Sequence, residues 1–192
     1  LEAGIEREFV SNIIHSRRLL LDAADSAIAD WPWPYRVRTL GQFRLLRNDQ
    51  PVTFSGKAQR RPLDLLRVLI AGGAREVPVE RITEALWPRI DGDSAHRSFT
   101  TTLHRLRKLL GDLGAIRIED GKVSLESHCV WVDAFAFERM ADHGADPLGM
   151  ETLYQGQFLS EEREASWVLS PRERLRGKFV RHVSVEGHRL EQ

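Results

Sequence analysis

Cysteine is nearly absent from this 192-residue chain. The single one, Cys129, excludes a disulfide framework, and the seven histidines hold no ligand-like spacing to it that would make a zinc pattern. Long apolar runs are missing too. No stretch of about 18 apolar residues occurs and no charged-then-apolar signal segment opens the chain, so the expected setting is the reducing cytoplasm, away from any membrane. Catalytic signatures are equally scarce. Gly56-Lys57 lacks the G-x-x-x-x-G-K-[ST] spacing of a phosphate loop, and no metal constellation or nucleophile motif is present. The expectation is a protein that is not an enzyme and takes no cofactor and no metal. Residue 1 is Leu rather than Met, which suggests a piece of a longer protein or a processed one.

An excess of charge is also lacking, since 28 Lys and Arg balance 28 Asp and Glu. That balance hides a gradient. Residues 1–34 carry 3 basic against 6 acidic side chains, residues 35–140 carry 18 against 13, and residues 141–192 carry 7 against 9. The middle is therefore basic by five charges. Because phosphate attraction is screened within roughly 8–10 Å at physiological salt, the local balance governs contact with nucleic acid.

What is present reads in order. Residues 1–30 have helical spacing at Ile5, Phe9, Ile13 and Ile14, consistent with the helical tail of an upstream domain, with a dimerisation helix as the alternative. Trp31-Pro32-Trp33-Pro34 stops any helix and marks a boundary. Its two tryptophans are expected to pack on the following domain, with ligand stacking as the alternative. From Tyr35 the period is 2: Val37, Thr39, Phe43 and Leu45 share one face, Arg36, Arg38 and Arg44 the other. Asn48-Asp49 then turns the chain into a short strand over Pro51–Phe54, giving an antiparallel N-terminal sheet. A helix over about Ala58–Ala71 follows, with Leu65, Leu66, Leu69 and Ile70 inward and Gly72-Gly73 at its end. A second helix over about Val79–Leu86 stops at Trp87-Pro88.

The stretch Ser94–Gly111 is the most informative. Ala95, Phe99, Thr102, Leu103, Leu106, Leu109 and Leu110 gather on one side of a helix; Arg97, Thr101, His104, Arg105 and Lys108 gather on the other, with no acid among them. Asp93 or Ser94 is expected to cap its start. Ile116–Leu125 contains Asp120-Gly121 between alternating strands, a hairpin with a two-residue primed turn. A sheet, three helices and a hairpin in that order make a winged helix-turn-helix, in which the last helix enters the major groove.

These residues resemble the winged-helix domain of bacterial regulators of the OmpR type, in the Streptomyces antibiotic regulatory protein (SARP) branch. Leu40-Gly41 with Phe43, Leu63 to Leu69, Ile82 to Pro88, Ser94 to Gly111 and Trp131-Val132-Asp133 carry the resemblance over about residues 35–140. Leu153 to Leu159, Trp167-Val168 and the arginine-rich Arg172 to Arg181 resemble the start of the bacterial transcriptional activator domain (BTAD), a tetratricopeptide-like module. That module is short here, with about three helices, and the response-regulator receiver is absent. The segment before Tyr35 is similar to the junction in large regulators related to the maltose activator. The resemblance implies an α+β fold: a helical tail and linker at 1–34, a winged helix at 35–132 and a partial all-α module at 133–192.

It also implies a sequence-specific regulator of double-stranded promoter DNA, an activator that touches RNA polymerase and belongs to a larger protein with an upstream NTPase or helical-repeat domain. A protein-interaction adaptor on a winged-helix scaffold is the alternative. The candidate DNA contacts are Arg97 and Thr101 for base edges, Arg105 and Lys108 for phosphate, with His104 and Ser98; Arg107 or Ser98 exchanges roles with the others on a small rotation of the helix. Arg117 and Lys122 flank the wing turn, opposed by Glu119 and Asp120. Arg60 and Arg61 open the first helix, near phosphate or simply solvated. The loop Arg89, Ile90, Asp91, Gly92 and Asp93 corresponds to the polymerase-contact loop, with helix capping as the alternative role of its aspartates. Trp131, Phe135 and Phe137 are expected to pack between the two modules, with ligand stacking as the alternative.

Overall fold

The computed structural model describes residues 13, 31–53, 60–111, 114–143, 147–163 and 165–190, so most of the upstream helical tail, Phe54 and the first residues expected for the first helix lie outside it. The chain runs β1 Tyr35–Arg38, β2 Arg44–Arg47, β3 Gln50–Pro51, α1 Arg60–Ala71, β4 Val77–Pro78, α2 Val79–Leu86, α3 Gly92–Leu109, β5 Ile116–Glu119, β6 Lys122–Leu125, β7 Val130–Val132, α4 Asp133–His143, α5 Pro147–Leu153 and, after a short 3-10 turn at Ser166–Val168, α6 Leu169–Leu190. The architecture is α+β.

Both hairpins close as their turn residues dictate. Asn48 and Asp49 take φ of 48° and 63°, Asp120 and Gly121 take 48° and 71°, the left-handed pair that a two-residue primed turn requires. Arg47 pairs with Gln50 in the first hairpin and Glu119 with Lys122 in the second. Of the strand expected over Pro51–Phe54, the structure gives Gln50–Pro51 as strand, and Val52 N still donates to Leu45 O at 2.9 Å; Phe54 lies outside the described residues.

Two strands had no strong sequence signal. β7 joins β1 in parallel, giving a four-stranded sheet in the order β3-β2-β1-β7, and β4 pairs with β6, giving a three-stranded wing in the order β4-β6-β5. At two or three residues each, neither is long enough to show a period.

One hydrophobic core runs through everything described. Leu65, Leu66, Leu69 and Ile70 of α1, Ile82 of α2, and Phe99, Leu103 and Leu106 of α3 fill its centre. Trp33 is buried and Trp31 packs against the same core, so the linker tryptophans dock on the unit they precede. Trp131 and Phe137 are buried as expected, and Phe137, Tyr154 and Phe179 form an aromatic group in which the last two stack at 4.1 Å.

The helical segment after β7 is pinned to the first sheet by Asp133. Its buried carboxylate accepts from Thr39 N at 2.8 Å, Thr39 Oγ1 at 2.6 Å, Leu40 N at 3.0 Å and Ala134 N at 2.8 Å. Burial pushes this carboxyl above the ordinary range, and the Thr39 hydroxyl and the three backbone N–H groups pull it back. Nearby, Leu40 bridges to Phe158, and Leu159 N donates to Thr39 O at 2.7 Å. The chains approach so closely here that a Cβ on Gly156 would meet Gly41 Cα at 3.1 Å. Buried Arg172 of α6 completes the junction, donating to the Phe158 and Leu159 carbonyls at 3.0 and 2.8 Å.

Candidate nucleic-acid interface

Helix α3 starts two residues earlier than its apolar period suggests. Neither Asp93 nor Ser94 is the cap: the Asp91 carboxylate accepts from Ser94 N at 3.0 Å, and Ala95 N bonds Asp91 O at 2.8 Å, so Gly92 and Asp93 already lie in the first turn. The Ser94 backbone and hydroxyl hold the Asp91 carboxyl below the ordinary carboxylate range. A depressed folded pKa gives stability that is present above the unfolded value, about 4, and lost as pH falls through the folded one. Asp91→Ala is therefore expected to lower the thermal midpoint by a few degrees at pH 7, with the gap between the two proteins closing in acid; a constant gap down to about pH 2 in a melting series would remove the cap from the account.

The far end is anchored by tertiary contacts. Buried Tyr35 donates its hydroxyl to the Leu110 carbonyl, and Gly111 leaves the helix at φ +63°, where a Cβ would meet the Arg47 guanidinium at 3.0 Å. Arg107 is half-buried and donates to Ile116 O at 3.2 Å. It ties α3 to the wing, which removes it from the set of exchangeable contacts.

With both ends fixed, the rotation of α3 is decided. Ala95, Phe99, Thr102, Leu103 and Leu106 are buried. At roughly 100° per residue the opposite summit is Arg97, Thr101, His104 and Lys108, with Arg105 on one flank and Thr100 on the other. All six are exposed; Ser98 is half-buried between flank and core. Arg97 rests on Ser94 Oγ at 2.8 Å, and Thr101 bonds back to Arg97 O at 3.1 Å. The side chains of His104, Arg105 and Lys108 make no hydrogen bond or ion pair among the described residues. Thr100, bonded to His96 O at 3.0 Å, is not among the residues the sequence singles out; its i+3 spacing from Arg97 is the signal that places it beside the summit.

The other candidates are placed differently. Arg60 is exposed at the start of α1, whereas Arg61 donates to the Leu86 carbonyl at 3.3 Å and so caps the end of α2. On the wing, Arg117 sits 2.7 Å from Glu119 and 3.0 Å from Glu126, and Lys122 lies 3.6 Å from Glu76. Both wing cations are thus paired with carboxylates. In the α2–α3 loop Trp87 is buried while Arg89 and Ile90 project, Ile90 with 45% of its surface exposed. Among the described residues no cluster of His, Cys, Asp and Glu could hold a metal ion, and no helix is long and apolar enough to cross a membrane.

No protein-family model matches the chain, and no curated protein does either. Among solved structures it is similar to Mycobacterium tuberculosis EmbR, determined in complex with a low-affinity phosphopeptide, with 20% identity, a TM-score of 0.58 and coverage of 78% of this chain. The likeness shows the fold. The chain spans 44% of EmbR's length, so what the rest of EmbR does lies beyond the match.

Proposed function

We propose that this chain is the DNA-binding portion of a SARP-type transcription regulator that recognises double-stranded promoter DNA in a sequence-specific way. The observation that carries this is the exposed summit of α3: Arg97, Lys108 and flanking Arg105 stand with Thr101 and His104 on a helix clamped at both ends, and the one acidic side chain of the helix, Asp93, lies in its first turn, four residues before Arg97. Such a helix, about 27 Å long, offers guanidinium, ammonium and hydroxyl groups to base edges and phosphates without first breaking internal ion pairs. The fold likeness to EmbR supports the same reading.

In this proposal residues 35–132 form the DNA-reading unit, 133–192 a partial BTAD-like module, and 1–34 lead from an upstream regulatory domain in a cytoplasmic protein. Exposed Ile90 and Arg89, with Asp91, Gly92 and Asp93 turning into α3, make the loop that an activator would offer to RNA polymerase. Arg60 adds a phosphate contact, while Arg117 and Lys122 contribute only if DNA displaces their carboxylate partners.

Selection of bound duplexes from a random pool supplies the target, and titration across a salt series tests the mode. Four free cations, Arg60, Arg97, Arg105 and Lys108, predict a slope of log affinity against log salt of about −3 to −4. Absence of binding at low salt, or a slope near zero, would sink the proposal.

A further inference from the structure

A cavity of about 430 Å³ is walled by the turn after α1, the end of β6, β7, α4 and the linker residue Trp33. That size falls within the roughly 300–1,000 Å³ of small-molecule pockets. Trp33 and Trp131, both buried, and half-buried Phe135 give it aromatic surface, alongside the buried aliphatic side chains of Leu125 and Val132.

Two observations set the chemistry of an occupant. Trp131 is only 3% exposed, yet its indole Nε1–H, itself buried, meets no acceptor among the described residues. Buried indole N–H groups ordinarily find one, because a donor taken out of water without a partner has lost a hydrogen bond and gained nothing. The wall therefore offers a donor and calls for an acceptor. The acids there are already committed. Glu138 is paired with Arg174 at 2.7 Å and Lys178 at 3.8 Å, and Asp142 with Lys178 at 2.6 Å; Arg139 is engaged as well, and Arg75 stands exposed to solvent. An ion placed among the aromatic rings would shed its water without a dedicated counter-charge, a cost that a neutral molecule avoids.

We propose that this cavity binds a neutral, flat aromatic molecule carrying one hydrogen-bond acceptor, such as a ketone, a lactone or a ring nitrogen. The acceptor takes the Trp131 Nε1–H, and the ring lies against Trp33 and Phe135. The occupant touches the linker, the wing's return strand and α4 together, so it ties the two halves of the chain to the segment that enters them and raises stability by mass action. Binding is independent of the DNA-binding proposal, because the titration below contains no DNA.

The test is a titration of the whole chain at pH 7 with acetophenone, followed by the indole N–H signals in NMR. α-Methylstyrene, in which a methylene replaces the carbonyl oxygen at nearly the same shape, removes the acceptor; acetone removes the ring; benzoate adds a charge. Five tryptophans give five indole signals, and Trp131→Phe assigns the relevant one. Acetophenone is expected to move that signal downfield saturably, binding about tenfold more tightly than α-methylstyrene or acetone, a difference of about 1.4 kcal/mol, and more tightly than benzoate. Trp131→Phe is expected to erase the preference for acetophenone over α-methylstyrene. In the parent protein, nuclear Overhauser contacts from the acetyl methyl to the Leu125 methyls place the ligand without relying on that variant. No saturable shift, equal binding of α-methylstyrene, tighter binding of benzoate, a preference that survives in Trp131→Phe, or a bound ligand without contact to Leu125 would each overturn the inference.

Discussion

Replacing Arg97 and Lys108 together by alanine is expected to weaken binding to the selected duplex by two to three orders of magnitude while leaving the melting midpoint nearly unchanged. Both side chains are exposed, and Arg97 forms only a bond to the equally local Ser94 hydroxyl, so folding loses little. Binding loses more. A bidentate arginine–guanine contact is worth about 1–3 kcal/mol of discrimination, and one lysine–phosphate contact lowers the salt slope by about 1. The single variants separate the roles: Arg97→Ala should relax sequence preference at one base pair, whereas Lys108→Ala should weaken all duplexes alike. Quantitative binding to the selected site and its single-base variants decides between them, and equal affinity of the double variant and the parent would place the interface elsewhere.

Truncating Asp133 to alanine is expected to destabilise the protein by roughly 3 kcal/mol, about 6–12 °C in the melting midpoint, because the N–H groups of Thr39 and Leu40 then stay buried without an acceptor. Asp133→Asn keeps one accepting oxygen, so its loss should be smaller. The pH dependence runs opposite to that of Asp91. Burial raises the folded pKa, so this group's contribution is full below the unfolded pKa and diminishes as pH rises through the folded one; the parent should gain on Asp133→Asn in acid. Melting curves of the three proteins from about pH 4, near the ordinary carboxyl pKa, up to about pH 8 check both magnitude and sign, and an alanine variant as stable as the parent would show that Asp133 does not hold the junction.

The two halves therefore fail differently under substitution. The exposed cations on α3 are proposed to govern a partner and their loss leaves the fold intact, while a buried carboxylate far from them holds the helical segment on the first sheet. Arg107 and Arg61 belong with the second kind, despite lying beside candidate contacts in sequence. Each spends its guanidinium on a backbone carbonyl, Ile116 O and Leu86 O, and so holds the wing to α3 and the end of α2 to α1.

The sequence by itself determined the elements whose causes are local. The apolar period of α1, α2 and α3 put Leu65, Ile82, Phe99 and Leu106 inside; Asn48-Asp49 and Asp120-Gly121 set two turns whose positive φ those residues tolerate; and the basic stripe of α3 from Arg97 to Lys108 followed from spacing alone. Only the tertiary structure decided what depends on residues distant in the chain. It brought Asp133 to Thr39 across ninety-four positions, paired β7 with β1 and β4 with β6, and spent Arg61, Arg107, Arg117 and Lys122 on internal partners. A charged side chain carries no mark of its partner in a one-dimensional pattern, because ion pairs and hydrogen bonds are specified by distances of about 3 Å that only the packed core sets.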